Sequence, residues 1–167
     1  MQRVTPPLVD AYRELMLEAY VAHPDAFTSS AAERAALPLS WWQARLAQDP
    51  ASPEIVFGAI EDGALVGAAG LSFEPREKAR HKAHLFGMYV RPARRGRGIG
   101  RQIVLAALDG ARARPGVRLV QLTVTDGNAA EAVYARCGFV RFGLEPLAIA
   151  VGDILLAKVH MWCDLNP

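Results

Sequence analysis

The eleven residues Val90–Gly100, VRPARRGRGIG, carry four arginines and three glycines. Neither type is good core material, so the run marks a place where main chain comes close to something anionic. Its flanks narrow the geometry. Before it, AHLFGMYV is rich in strand-forming residues and ends at Arg91-Pro92. Pro92 biases Arg91 toward extended geometry and cannot extend a ladder. After it, Ile99, Ile103, Ala107 and Ala111 recur at helical spacing, which predicts a helix near 98–114 stopped by Pro115-Gly116. A strand, a glycine turn and a helix in that order leave N–H groups unpaired at the helix start, where the helix dipole also favours negative charge. Glycine lets an anion reach those amides, and Arg95 and Arg97 could add charge-assisted contacts from the flanks. A pyrophosphate is the favoured guest.

Two common pyrophosphate motifs do not fit. A P-loop needs Gly-Lys-Ser/Thr, and GRGIGRQ has neither the lysine nor the hydroxyl. A dinucleotide fold needs G-x-G-x-x-G after the first strand and an acid about twenty residues on. Here the glycines run G-x-G-x-G late in the chain, and Val117–Leu122 holds no acid.

The rest of the pattern alternates helices and strands. Leu8, Tyr12, Leu15 and Ala19 form one apolar stripe over residues 7–22, and Pro24 and Pro38 bound the break that follows. LSWWQARLAQ reads as a short helix capped by Ser40. EIVFGAIE and ALVGAAGLSF flank Asp62-Gly63, a strong hairpin signal. VRLVQLTV is a strand, and Asn128 with Glu131 predicts a capping box on a short helix ended at Gly138. Residues 145–151 and 154–163 read as closing strands around Gly152-Asp153. The order predicts an α/β (α+β) fold, a mixed and mostly antiparallel sheet flanked by helices.

At 167 residues the chain is expected to form a single domain, 1–167, with a core that needs no metal or disulfide. A net charge of only +2 is low for a nucleic-acid binder. Cys137 and Cys163 fit no zinc spacing and read as reduced, buried thiols. His81 and His84 lack a third ligand nearby, so no metal is expected. No apolar run approaches eighteen residues, so no membrane contact is expected and the cytoplasm is the expected location.

Three segments together resemble the GNAT superfamily of N-acetyltransferases. RRGRGIGRQIV is similar to its acyl-CoA pyrophosphate loop, with Arg95, Gly98 and Gly100 at the motif positions. LFGMYVRP resembles its fourth strand, and NAAEAVYARCGFV its Asn…Ala…Tyr…Gly-Phe segment at Asn128, Tyr134, Gly138 and Phe139. The resemblance covers residues 54–142 closely and the flanks loosely; only QRVT stands where the family's first strand belongs.

The resemblance implies splayed fourth and fifth strands, with the pantetheine arm of acetyl-CoA entering between them. It implies main-chain contacts to the cofactor from Met88, Tyr89 and Val90, with Gly87 suiting the irregularity. The loop and the helix start would bind the cofactor's pyrophosphate through Arg95, Gly96, Arg97, Gly98, Ile99, Gly100 and Arg101. Asn128 would hold the cofactor's amides. Tyr134 would be the general acid toward the leaving sulfur. Many relatives carry a glutamate base on the fourth strand; this chain has no acid between Lys82 and Arg101, which leaves His84, through water, as candidate base. Glu33 could line an acceptor pocket, whereas Trp41 and Trp42 read as packing residues.

The expected activity is transfer of an acetyl group to a primary amine, a small molecule or a protein amino group, by direct attack in a ternary complex. Cys137 is a poor covalent nucleophile, because the C-terminal end of a helix raises a thiol pKa. Two rivals stand beside this reading: a non-catalytic acyl-CoA sensor of the same fold, and a nucleic-acid module using the arginines of the loop. The C-terminal hairpin could serve a homodimer.

Overall fold

In the computed structural model, which describes residues 1–166, the chain begins with a two-residue strand β1 (Gln2–Arg3) and helix α1 (Val9–Ala22). Two short helices follow, α2 (Ala31–Ala35) and α3 (Leu39–Ala44), then strands β2 (Glu54–Glu61), β3 (Ala64–Phe73) and β4 (Lys82–Val90). Helix α4 (Ile99–Arg112), β5 (Leu119–Thr125), α5 (Ala130–Ala135), β6 (Val140–Val151) and β7 (Ile154–Asp164) complete it. The seven strands form one sheet in the order β1-β2-β3-β4-β5-β7-β6. Every pairing is antiparallel except β4 with β5. A parallel pair needs a crossover, and α4 supplies it.

Asp62 (φ 51°) and Gly63 (φ 78°) both take positive φ, the geometry that lets a two-residue turn follow the twist of β2 and β3. The short N-terminal stretch does reach the sheet: Gln2 and Arg3 pair with Gly58 and Phe57. One face of the sheet is covered by α4, whose Ile99, Ile103, Val104, Ala107, Leu108 and Ala111 are all buried. The other face of β2–β4 is covered by α1 and α3 through Tyr12, Leu15, Met16, Trp42 and Leu46.

Three local expectations are corrected. The segment between Pro24 and Pro38, read as a break, holds the short helix α2, started by the Ser30 cap. Pro38, not Ser40, caps α3, and Ser40 lies inside its first turn. The capping box belongs to Ser30 and Glu33 on α2. At Asn128 the side chain accepts from Ala130 N–H (2.9 Å) and Glu131 instead pairs with Arg141 (3.2 Å), so a tighter Asx turn replaces the box. Gly138 (φ 95°) terminates the helical turn after α5 as expected.

Candidate functional site

Only three rungs join β4 to β5: Lys82 with Leu119, Ala83 with Val120, and His84 with Gln121. Beyond them Leu85–Val90 have no partner on β5, so the strands part and their facing main-chain groups stay free. The cause sits at Gly87. Ala68 pairs with Tyr89 and Gly70 with Phe86, which leaves Ala69 opposite both Gly87 and Met88. This is a bulge, and Gly87 takes it with φ 60°. Met88 and Val90 aim their side chains at Gly100 of α4, so they act as strand core while their main chain borders the gap.

The loop after β4 completes the opening. Gly96 (φ 76°) and Gly98 (φ 77°) are left-handed, and a Cβ at either would project into open space. The first amide to find a carbonyl is Gln102 N–H, bonded to Gly98 O at 3.0 Å. The amides of residues 96–101 have no backbone acceptor among the described residues. Gap and loop open into one cavity of about 680 Å³. Met88, Tyr89, Val90, Arg95, Gly96 and Gly98 line it, as do Ile99, Gly100, Arg101, Asn128 and Tyr134.

The arginines are not equivalent. Arg97 is held by Glu61 at 3.1 Å, and Arg94 by Glu61 at 3.4 Å. Arg95 turns back toward the strand: its Nε donates to Val90 O (2.9 Å) and its NH2 donates to His23 Nε2 (2.9 Å). That places Arg95 as a brace for the loop, with Arg97 directed away from the cavity wall. Arg101 and Arg136 line the cavity and have no carboxylate within 4 Å among the described residues.

Tyr134 is buried, edge-on to Phe139 at 5.9 Å, and its hydroxyl faces the cavity without a protein hydrogen bond among the described residues. Burial, with some help from Cys137, holds its pKa well above the usual phenol range. Asn128 spends its oxygen on the Asx turn, leaving its NH₂ free toward the cavity. His84 is exposed on the last paired rung and does not line the cavity. Its pKa is lowered by desolvation, partly offset by Glu74 and reinforced by Lys82. Glu33 closes the α2 box, away from the cavity. The thiols of Cys137 and Cys163 are buried and raised in pKa by desolvation.

Several lining residues carried no sequence signal: His23, Ala26 and Phe27 from the segment after α1, Thr123 from β5, and Arg136. His23 and Phe27 are about sixty residues from β4, and only folding brings them there. Arg136 had no such signal either, because residues two apart on a helix do not share a face and only the fold brings it to the cavity with Tyr134.

Unpaired amides, two left-handed glycines with free space above them, and parted strands are what a pyrophosphate with an extended amide-bearing arm requires. By these observations the chain fits coenzyme A.

Comparison with known proteins agrees. The profile of the acetyltransferase (GNAT) family matches residues 9–139, more than half of the chain. The chain belongs to the GNAT acetyltransferase family. It is 41% identical over 107 residues to the N-alpha-acetyltransferase RimI of Mycobacterium tuberculosis. That similarity spans 63% of this chain and 65% of the relative, just under two thirds of its length. Among solved structures, a Salmonella typhimurium protein with its cofactor acetyl-CoA superposes at TM-score 0.81. It is 23% identical over 99% of this chain and 93% of its own. The ribosomal-protein-alanine N-acetyltransferase of Brucella melitensis gives 0.78 at 24% identity over 98% of both chains. At these identities both establish the GNAT fold. No helix among the described residues is long and apolar enough to cross a membrane.

Proposed function

We propose that this chain is an acetyl-CoA-dependent N-acetyltransferase that moves an acetyl group to a primary amine by direct attack in a ternary complex. The observation that carries this reading is the row of unpartnered amides at residues 96–101 opening into the β4–β5 gap. The Salmonella protein's acetyl-CoA and the RimI relative's name support it.

When bound, acetyl-CoA supplies a thioester carbonyl activated toward amines. The loop amides hold the pyrophosphate, with Arg101 and Arg136 adding charge and Arg95 keeping the loop in shape. Main chain of Met88, Tyr89 and Val90 holds the pantetheine arm and offers N–H groups toward the carbonyl oxygen, with the free NH₂ of Asn128 as a further donor. A phenol holds its proton at working pH even unperturbed, and burial keeps that of Tyr134 neutral, so its hydroxyl can donate to the departing sulfur. A lysine-type amine is protonated at pH 7 and must lose a proton before attack. Among the described residues no carboxylate lines the cavity. His84, kept neutral by its lowered pKa and on the same strand face as the cavity residue Phe86, takes that proton through water. The protein works in the cytoplasm, in line with its two free cysteines. Two copies pair along the C-terminal hairpin.

The test is release of free CoA thiol with purified protein over a panel of amine classes, beside calorimetry of CoA. Turnover with at least one amine is expected, Gly98→Glu should weaken CoA binding a hundredfold or more, and Tyr134→Phe should lower kcat about ten- to a hundredfold. CoA affinity unchanged by Gly98→Glu overturns the cofactor site. CoA binding without turnover on any amine favours the sensor.

A further inference from the structure

The end of the cavity lined by Phe27 and Phe86 adjoins a cluster that acyl transfer does not use. The Arg45 guanidinium lies 4.6 Å from the Phe86 ring centroid and 4.1 Å from that of Trp41. Arg34, on α2, lies 4.8 Å from the same Trp41 and 5.7 Å from Tyr20. Tyr20 in turn meets Phe27 edge-on at 4.7 Å. Two guanidiniums and four rings thus form one continuous wall that reaches the cavity at Phe27 and Phe86.

The charges in that wall do not balance. Arg45 lies 3.2 Å from Glu54, though its Nε is not aligned for a hydrogen bond. Arg34 has no carboxylate within 4 Å among the described residues, and its Nε is buried without a hydrogen-bond partner. Two cations therefore face one anion, beside rings that keep water away. A half-buried cation lacking its counter-charge is costly to hold, and an incoming anion relieves that cost. Guanidinium is the side chain best suited to a planar carboxylate, and its stacking on rings leaves the N–H edge free. No Asp or Glu lines the cavity to attract a polycation.

We propose that Arg34 and Arg45, set in the Tyr20–Phe27–Trp41–Phe86 wall, form an anion subsite that selects amine acceptors carrying a carboxylate on an apolar body. The acceptor's apolar side chain lies against Phe27 and Phe86, and its α-carbon turns the carboxylate toward Arg34 and the neighbouring amine toward the Gly87–Met88 bulge. This rests on the acetyltransfer reading above. It separates a free amino acid from a protein N-terminus, whose neighbouring carbonyl is a neutral amide.

Phenylalanine and phenylalaninamide distinguish the two, with thiol release followed at saturating acetyl-CoA. The acid should be preferred at least tenfold in kcat/KM. Arg34→Gln should erase the preference by raising KM for the acid, and Arg34→Lys should restore part of it. Equal turnover of acid and amide, or a preference unmoved in Arg34→Gln, overturns the subsite and leaves acetyl transfer standing. Calorimetry of N-acetylphenylalanine and its amide against the CoA-bound protein reads the subsite without turnover. Acid-selective binding lost in Arg34→Gln supports the subsite even where no amine is acetylated, an outcome that counts against transfer alone. Absence of both acid preference and acid binding overturns it.

Discussion

Tyr12 and Tyr134 each place a phenol among apolar side chains, and burial raises both pKa values for different ends. Tyr134 faces the cavity, where a retained proton is useful. Tyr12 of α1 is buried against Trp42 of α3, 5.8 Å away, and its pKa is pushed up to about 12, mainly by desolvation. The folded value lies above the unfolded value near 10, so the neutral phenol stabilises the fold fully below pH 10. That contribution, on the order of 2–3 kcal/mol, is lost as pH rises from 10 toward 12. Urea midpoints measured across that window should fall more steeply for the wild type than for Tyr12→Phe; parallel curves would contradict the burial argument. Site residues were unequally legible at this scale. Gly98 and Tyr134 stand at motif spacing in the sequence and line the cavity, whereas the bonds of Arg95 to Val90 O and His23 could not be read from any spacing.

At the scale of elements, the site depends on how β4 is made irregular. A uniform strand would continue pairing with β5 and close the gap. Gly87 prevents this with a positive φ of 60°, and a Cβ there would meet Met16 Cε at 3.3 Å. Gly87→Ala should therefore cost about 1–2 kcal/mol of stability in denaturant melts. It should also weaken CoA binding as the strand shifts to relieve strain. A variant with wild-type stability and CoA affinity would show that the bulge does not need glycine. Helix α4 was legible because its apolar stripe repeats four times, while β6 was not: it begins at Val140, five residues before its expected start, and most of it is exposed. An edge strand buries neither face fully, so alternation weakens and no pattern marks where it starts.

Thr125 Oγ1 donates to Asp25 O (2.6 Å) and Lys158 Nζ to Thr28 Oγ1 (2.6 Å), tying the segment after α1 to β5 and β7. Val140, Phe142, Leu144 and Leu147 of β6, with Ile154 and Leu155 of β7, are each more than half exposed. A free antiparallel edge is self-complementary under a two-fold axis, which is why a second copy is its proposed cover. Sedimentation at micromolar concentration should show a dimer that Phe142→Lys with Leu144→Lys converts to monomer; a monomeric wild type sinks that pairing. Periodicity and turn signals were enough to specify α1, α4, the β2–β3 hairpin and the glycine turn before α4, because those depend on contacts a few residues apart. The cavity, the idle charge of Arg34 and the exposed apolar edge were decided by folding alone. Each arises from residues far apart in the chain, whose meeting is set by strand order and burial rather than by any local pattern.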